Sequence, residues 1–431
     1  MIYVLRTSWA LLLGMFLLQI GNGLQGSMMG VRGALEGFST FELSLVGSAY
    51  FLGFLGGSQL APKFIAKVGH VRVFAALGSL ISAVLISYPV ITEPWAWMLL
   101  RVIVGFSLSG VYVTAESWLN NAANNDTRGA SLSAYMLVQM FGLVGGQAIL
   151  AAGDPTGWIL FVIPSILVSL SFAPILLSAS PTPAFDTTRP MSLLKLYQTS
   201  PFGVIGMTLM GCVFASQFAM APVYATEAGL TLAQLSGFVS SFFIGAIILQ
   251  YPIGWLSDRM DRRLLIIGAS ALAGVVALVG VMAGNSFTVL LAVGLLNGGL
   301  AQPLYALLIA YTNDYLETED MAAASGGLLF VNGVGAIIGP PVMGIMITQF
   351  GPGGFWMFLA LVLFIMTAYG IWRMTQRPSA YADEDSYEAV SYTTILPGAG
   401  SPVAMETAQE LYVEAAEELA EDAIEPAQQG S

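Results

Sequence analysis

Apolar runs of about 20 residues, the length at which a helix crosses roughly 30 Å of hydrocarbon, recur twelve times along this chain. Their approximate limits are 9–31, 42–62, 72–91, 95–119, 130–152, 157–178, 202–222, 233–255, 264–283, 287–311, 322–349 and 355–376. A hydrophobic share of 56%, only 9% charged residues and a mean hydropathy of +0.77 exclude an ordinary soluble domain. The expected fold is an all-α integral membrane protein with twelve transmembrane helices. Connections such as 151–157 and 350–354 are too short to hold a soluble domain. The soluble mass reduces to a linker at 179–200 and a tail at 377–431.

Lys and Arg in short loops stay on the cytoplasmic side. With both termini inside, twelve of the 14 Lys and Arg residues fall there, Arg32 lies outside and Arg101 lies within a span. Inverting the chain would reverse this bias. The N-terminal run after Arg6 is too long for a signal peptide and is read as the first transmembrane helix.

The densest charge in the chain is Asp258-Arg259-Met260-Asp261-Arg262-Arg263, five charges in six residues between the eighth and ninth runs. A degenerate counterpart lies about 192 residues earlier, where Lys67 answers Arg259 and His70 answers Arg262. At an offset of 193, Gly105 pairs with Gly298, Tyr112 with Tyr305, Asn120 with Asn313, Gly142 with Gly335 and Gly146 with Gly339. The chain reads as two six-helix pseudo-repeats, 1–178 and 201–376.

On these residues the chain resembles the major facilitator superfamily, as a bacterial member whose substrate is unassigned. Gly254-Trp-Leu-Ser-Asp258-Arg259-Met-Asp-Arg262-Arg263 is similar to the family's G-x-x-x-D-R-x-G-R-R signature. The resemblance implies a conformational latch formed by Gly254, Asp258, Arg259, Arg262 and Arg263, whose charge-assisted bonds break when the halves rock apart. A basic membrane anchor is the other reading. In the first-half copy Ala66 stands at the Asp position, so the resemblance does not extend a latch there. Arg101 and Gly105 are similar to the family's R-x-x-x-G pattern, which implies substrate-anion binding or proton coupling. Gly335, Gly339 and Pro340 look like a G-x-x-x-G-P motif. They are read, with Gly142 and Gly146, as helix-packing residues: small side chains let helices approach closely, and the prolines bend the helix.

Arg101 lies about 9 Å into its helix, a costly depth for a charge facing lipid. Its alternative role is to fix helix packing. Gln19, Asn22 and Gln25 are spaced by three and share one helical face. Gln217, Asn297 and Gln302 complete the candidate set in the second half. These amides are read as lining a substrate cavity or as bonding helix to helix. Glu116, about 22 Å along the helix from Arg101, is the candidate proton carrier, or a helix-end acid in a gate. Uniport and symport both remain open.

The glycines of "GNGLQG" at 21–26 match a dinucleotide fingerprint but sit inside an apolar helix. One cysteine and one histidine leave no cysteine cluster or His-rich metal site. No cofactor, metal or enzymatic activity is expected. The expected partners are a small-molecule substrate, a coupling proton if transport is proton-linked, and the lipid bilayer, without nucleic acid, for a monomer in the bacterial cytoplasmic (inner) membrane.

Residues 378–431 hold twelve Asp and Glu and no Lys or Arg, which accounts for the formal charge of −12. Disorder is the compositional expectation for this tail. A capping box at Thr407–Glu410 followed by Leu411, Ala415 and Leu419 would instead start a short amphipathic helix. Two functions compete: secondary or facilitated transport of a small solute by rocker-switch alternating access, and a non-transporting sensor or scaffold signalling through the acidic tail.

Overall fold

The computed structural model describes residues 2–122, 125–177, 191–283 and 286–376, with Val403, Thr407, Gln409, Leu411 and Val413 of the tail. Most of the expected linker and tail therefore lies outside the described residues. The described chain is helical throughout. In the first half run α1 (Ile2–Leu35), α2 (Thr40–Val68), α3 (His70–Ser87), α4 (Pro94–Ala122), α5 (Asn125–Ala152) and α6 (Ile159–Leu177). A short α7 (Leu193–Thr199) precedes α8 (Pro201–Glu227), α9 (Leu232–Ser257) and α10 (Arg262–Met282). The chain ends in α11 (Phe287–Ala301), α12 (Leu304–Asn313), α13 (Thr318–Phe350) and α14 (Gly353–Met374). Ten described spans are long and apolar enough to cross a membrane, with α11 and α12 counted as one; α6 supplies a shorter apolar helix.

The caps explain where the helices begin, and they repeat. Ser39 closes a capping box with Glu42 at the start of α2, and Thr231 does the same with Gln234 at the start of α9. Two residues before each cap stands a glycine with positive φ, Gly37 at 83° and Gly229 at 71°. Both turns need a residue without Cβ strain. The same local grammar thus occurs twice, 192 residues apart.

Tertiary packing repeats as well. In the first half α1 packs on α5 and α6, and α2 on α4; in the second α8 packs on α13, and α9 on α11. Glycines allow the tightest crossings. A Cβ on Gly105 would lie 1.9 Å from the Tyr50 carbonyl, and one on Gly298 would lie 2.3 Å from the Phe242 carbonyl. At the α1–α5 crossing a Cβ on Gly142 would meet the Gln19 Cβ at 2.5 Å, and one on Gly146 the Ile20 carbonyl at 2.5 Å. At α8–α13 a Cβ on Gly335 would reach within 1.8 Å of the Thr208 carbonyl, and one on Gly339 within 2.6 Å of the Cys212 carbonyl. Pro340 lies inside α13, which continues through it and Pro341 as one helix.

The two sets of helices meet through α1 with α8, α2 with α8 and α13, and α5 with α9. At the end that carries Gly37 the contact is close. Thr40 Oγ1 donates to Glu227 Oε1 at 2.9 Å, Ser48 Oγ donates to the Ile337 carbonyl at 2.5 Å, and Gly344 packs on Ser44. At the opposite end, which carries Gly69 and Asp258, α4 approaches α12 through Glu116 and Tyr305 but shows no extended helix packing on α12 or α13 among the described residues.

Three features depart from the run-length reading. A turn of helix, α7, occupies the end of the linker region, capped by Ser192. The tenth run is broken at Gln302–Pro303, because Pro303 has no N–H for the helical ladder. In the tail Thr407 is not an N-cap: Val403 is already helical and its carbonyl accepts from Thr407 Oγ1 at 2.9 Å.

Candidate functional site

The face of α1 carrying Gln19, Asn22 and Gln25 turns into the first set of helices, where it nucleates a buried polar network. Gln19 Nε2 donates to Gln139 Oε1 of α5 at 2.7 Å, while Gln19 Oε1 accepts from the Tyr112 hydroxyl of α4 at 2.7 Å. Asn22 Nδ2 donates to Gln19 Oε1 and to the Tyr112 oxygen, each at 3.3 Å. One turn further, Gln25 Oε1 accepts from Arg101 Nη1 at 2.6 Å. The Arg101 guanidinium, 1% exposed, lies 4.9 Å from the centre of the Tyr50 ring. Among the described residues no carboxylate comes within ion-pair distance of it. A desolvated cation is thus held by one amide and an aromatic face.

The network is not closed. Asn22 Oδ1, Gln25 Nε2 and Arg101 Nε are buried without hydrogen-bond partners among the described residues, and the Tyr88 hydroxyl sits beside Arg101 and Gln25 without a well-aligned bond. Asn22 and Gln25 also line a water-sized cavity with Leu18, Val104, Leu108 and Val168. Buried donors and acceptors left in this state cost stability unless water or a ligand reaches them.

The second half holds a neutral counterpart. Gln217 Nε2 of α8 donates to Asn297 Oδ1 of α11 at 2.7 Å, and Asn297 Nδ2 donates to the Ala273 carbonyl at 2.9 Å. Gln302 Nε2 donates to Gln217 Oε1 at 3.0 Å from the break between α11 and α12. Gln217 stands 192 residues after Gln25, so each half bridges its first and fourth long helices with buried polar side chains.

Between the two networks runs an aromatic layer. Tyr50 and Phe51 of α2 face Phe214 and Phe218 of α8, with centroids 6.0 Å apart for Tyr50–Phe218 and 6.3 Å for Phe51–Phe214. Tyr50 has Arg101 against its ring and the other half's Phe218 as a neighbour. Any rocking of the halves against each other moves that ring, and with it the Arg101 environment.

Glu116 borders this cluster, one turn beyond Tyr112 in α4 and close enough to act on it electrostatically. It is buried, accepts from the Tyr135 hydroxyl of α5 at 3.0 Å, and is close enough to Tyr305 of α12 to act on it electrostatically. The basic loop also divides. Arg262, 2% exposed, pairs with Asp314 just beyond α12, and its Nε donates to Ser257 Oγ at 3.3 Å. Asp261 caps α10 by accepting the Arg263 N–H at 2.8 Å. Arg263 is buried, and Asp258 ends α9 as its C-cap. Arg259 instead turns back on its own helix, over the Trp255 ring at 4.1 Å. A Cβ on Gly254 would meet nothing within 4 Å, so close packing does not require a glycine there.

Sequence reasoning did not single out Tyr50, Tyr88, Asp314 or Tyr135. Asp314 had a usable signal, an acid next to Asn313, whose repeat partner Asn120 was identified. The tyrosines had none, because eight of the chain's 16 tyrosines fall in the apolar runs with nothing in the sequence to tell them apart.

Residues 11–241 and 204–404 each match the model of the Major Facilitator Superfamily. A protein of Escherichia fergusonii described as the uncharacterized MFS-type transporter YcaD is 25% identical over 365 residues, covering 84% of this chain and 94% of the relative. An Enterobacter protein described as an uncharacterized MFS-type transporter is 25% identical over 386 residues, covering 86% and 97%. Among solved structures, the nucleoside transporter NupG superposes with a TM-score of 0.70 at 16% identity, covering 86% of this chain and 99% of that one. A bacterial homologue of the lysosomal transporter Spinster, solved inward-facing and unoccupied, gives 0.64 at 13% identity, covering 96% and 98%. The Escherichia coli fucose:proton symporter FucP gives 0.53 at 18% identity, covering 84% and 98%.

Proposed function

The chain belongs to the Major Facilitator Superfamily and is a multi-pass membrane transporter, and from this premise we propose that it moves a small polar or anionic solute by alternating access between two six-helix halves. In this reading α1 and α6 join the ten long spans to make twelve passes. Both termini lie in the cytoplasm of a bacterium, and the Gly69 end faces inward. The contacts at the Gly37 end then form the external closure, and the conformation is inward-facing.

The observation that carries the substrate class is the Arg101 cluster. A guanidinium buried without a carboxylate, beside unpartnered polar atoms and an aromatic layer at the interface of the halves, suits a solute with an acceptor group and a flat or ring-shaped body. Gln19, Asn22 and Gln25 orient the first half of the site, and Gln217, Asn297 and Gln302 the second. Glu116, bonded to Tyr135 and facing Tyr305, is positioned to carry a proton if transport is proton-linked. The Arg262–Asp314 pair serves as the latch, fastening the loop after α9 to the end of α12.

Thermal stability of the purified protein is the direct test, with nucleosides, sugars, carboxylates and organic phosphates as ligands. A ligand present at about 100 times its Kd stabilises the folded state by about 2.7 kcal/mol. A shift from one class, lost in Arg101→Ala, is the expected result. Equal shifts in both proteins would take Arg101 out of the site. No shift from any class, together with no solute flux in tail-truncated proteoliposomes, would overturn the transporter site.

A further inference from the structure

At the Gly69 end the chain's own tail lies against both sets of helices. Asn313, the last residue of α12, is 1% exposed, and Gln409 is equally buried. Their carboxamides bond reciprocally: Asn313 Nδ2 donates to Gln409 Oε1 at 2.6 Å, and Gln409 Nε2 donates to Asn313 Oδ1 at 2.9 Å. Such a pair uses both the donor and the acceptor of each amide, so neither position tolerates loss of one group.

The neighbouring tail residues extend the contact. Thr407, 4% exposed, turns its hydroxyl onto the Val403 carbonyl. Val403 packs on the apolar core. Leu411 reaches the other half, where its methyl carbons lie 3.8 and 4.0 Å from the Cβ position of Gly129 in α5. Through these residues the tail touches α12 of the second half and α5 of the first, at the end where α4 and α12 lack extended packing among the described residues. Neutral groups make these contacts, although the tail contains twelve acids and no base.

We propose that the tail, seated through Val403, Thr407, Gln409 and Leu411, is a built-in plug, which docks between α5 and α12 and must leave before the halves can close that end. Docked, it occupies the approach to the inward-facing cavity and stabilises that state against rocking. The tail is then an autoinhibitory element whose release permits the cycle. The consequence for transport rests on the transporter reading; the docking itself does not.

The test uses the full-length protein in membranes, with Cys212→Ser as background and a protease site inserted after Gly400. Asn313→Cys with Gln409→Cys is treated with a short bifunctional maleimide, and Thr40→Cys with Glu227→Cys serves as the control pair. The expected result is that the cleaved tail stays attached in the Asn313–Gln409 pair. Cross-linking of the control alone would overturn the docking. In a second readout, Gly129→Cys is labelled with an impermeant maleimide in inside-out vesicles, with and without Gln409→Glu. The variant loses an amide donor and brings a carboxylate against the Asn313 oxygen, so labelling should quicken roughly tenfold. Unchanged rates would overturn the plug. Faster labelling in the variant seen only from the outside of right-side-out vesicles would support the plug and overturn the assigned orientation.

Discussion

The two halves have the same helix crossings and different polar chemistry. Gly105 and Gly298 bring α4 against α2 and α11 against α9 at equivalent positions, and Gly142, Gly146, Gly335 and Gly339 do the same for α1–α5 and α8–α13. On these matched scaffolds the first half bridges its helices with a cation, Gln25–Arg101, and the second with neutral amides, Gln217–Asn297–Gln302. The loops diverge in the opposite sense. His70 Nε2 shares a 2.9 Å hydrogen bond with Ser117 Oγ in the first half, where the second has the Arg262–Asp314 ion pair at the equivalent position. Backbone approach is what duplication preserves, because a crossing fails if either partner grows. Polar side chains inside it are freer to change, provided that each finds a partner.

The largest effects should come from the shared scaffold. Gly105→Ala and Gly298→Ala each drive a methyl group into a backbone carbonyl, which cannot move aside as a side chain would. Each is expected to cost about 3 kcal/mol and to abolish the monodisperse peak in detergent size-exclusion chromatography. If only one of the two fails, the crossings are not equivalent and the structural repeat is weaker than the glycines imply.

Next in size is the contrast between the loops. Arg262→Ala breaks the buried pair with Asp314, at a cost of about 3 kcal/mol. His70→Ala removes the neutral hydrogen bond to Ser117, worth about 1 kcal/mol. A double-mutant cycle of Arg262→Ala with Asp314→Ala should recover most of the first loss. Equal costs at His70 and Arg262 in thermal melts would remove the distinction between the two loops.

How much of this was readable beforehand depends on the range of the interaction. Hydrophobic runs, capped starts such as Ser39-x-x-Glu42, and glycine periodicity are local, and they place nearly every helix to within a few residues. The face that Arg101 presents is also close to legible, since a charge at that depth must turn inward. What it meets is not legible, because the Tyr50 ring comes from another helix and carries no sequence mark. The Gln409–Asn313 pair is harder still. It joins residues 96 apart, one of them in a segment whose acidic composition argues for no structure.

Within the polar bridges the expected effects are smaller. Asn297→Ala leaves Gln217 Nε2 without its acceptor and takes the second donor from the Ala273 carbonyl, and should cost about 2 kcal/mol. Arg101→Lys keeps the charge but loses the planar group over Tyr50, for about 1 kcal/mol. If Arg101→Lys proves the more damaging to stability, the first-half bridge is a packing element like its neutral counterpart, and its charge has no separate role.

The smallest expected change sharpens the comparison most. α4 runs unbroken through Gly110, whereas at the equivalent position Pro303 separates α11 from α12 and leaves Gln302 at the break. Pro303→Ala restores an N–H that can donate to the Gly299 carbonyl, so the tenth span should continue as one helix with a stability change within about 1 kcal/mol. Continuation alters the turn at Gln302 and swings its amide away from Gln217. In the parent protein Gln302→Ala should cost about 1 kcal/mol, and in the Pro303→Ala background almost nothing. Because both proteins fold, the comparison is read from two pairs of thermal melts. If Gln302→Ala costs the same in both, the break does not aim the Gln302 amide, and the difference between α4 and α11–α12 has no bearing on the second-half site.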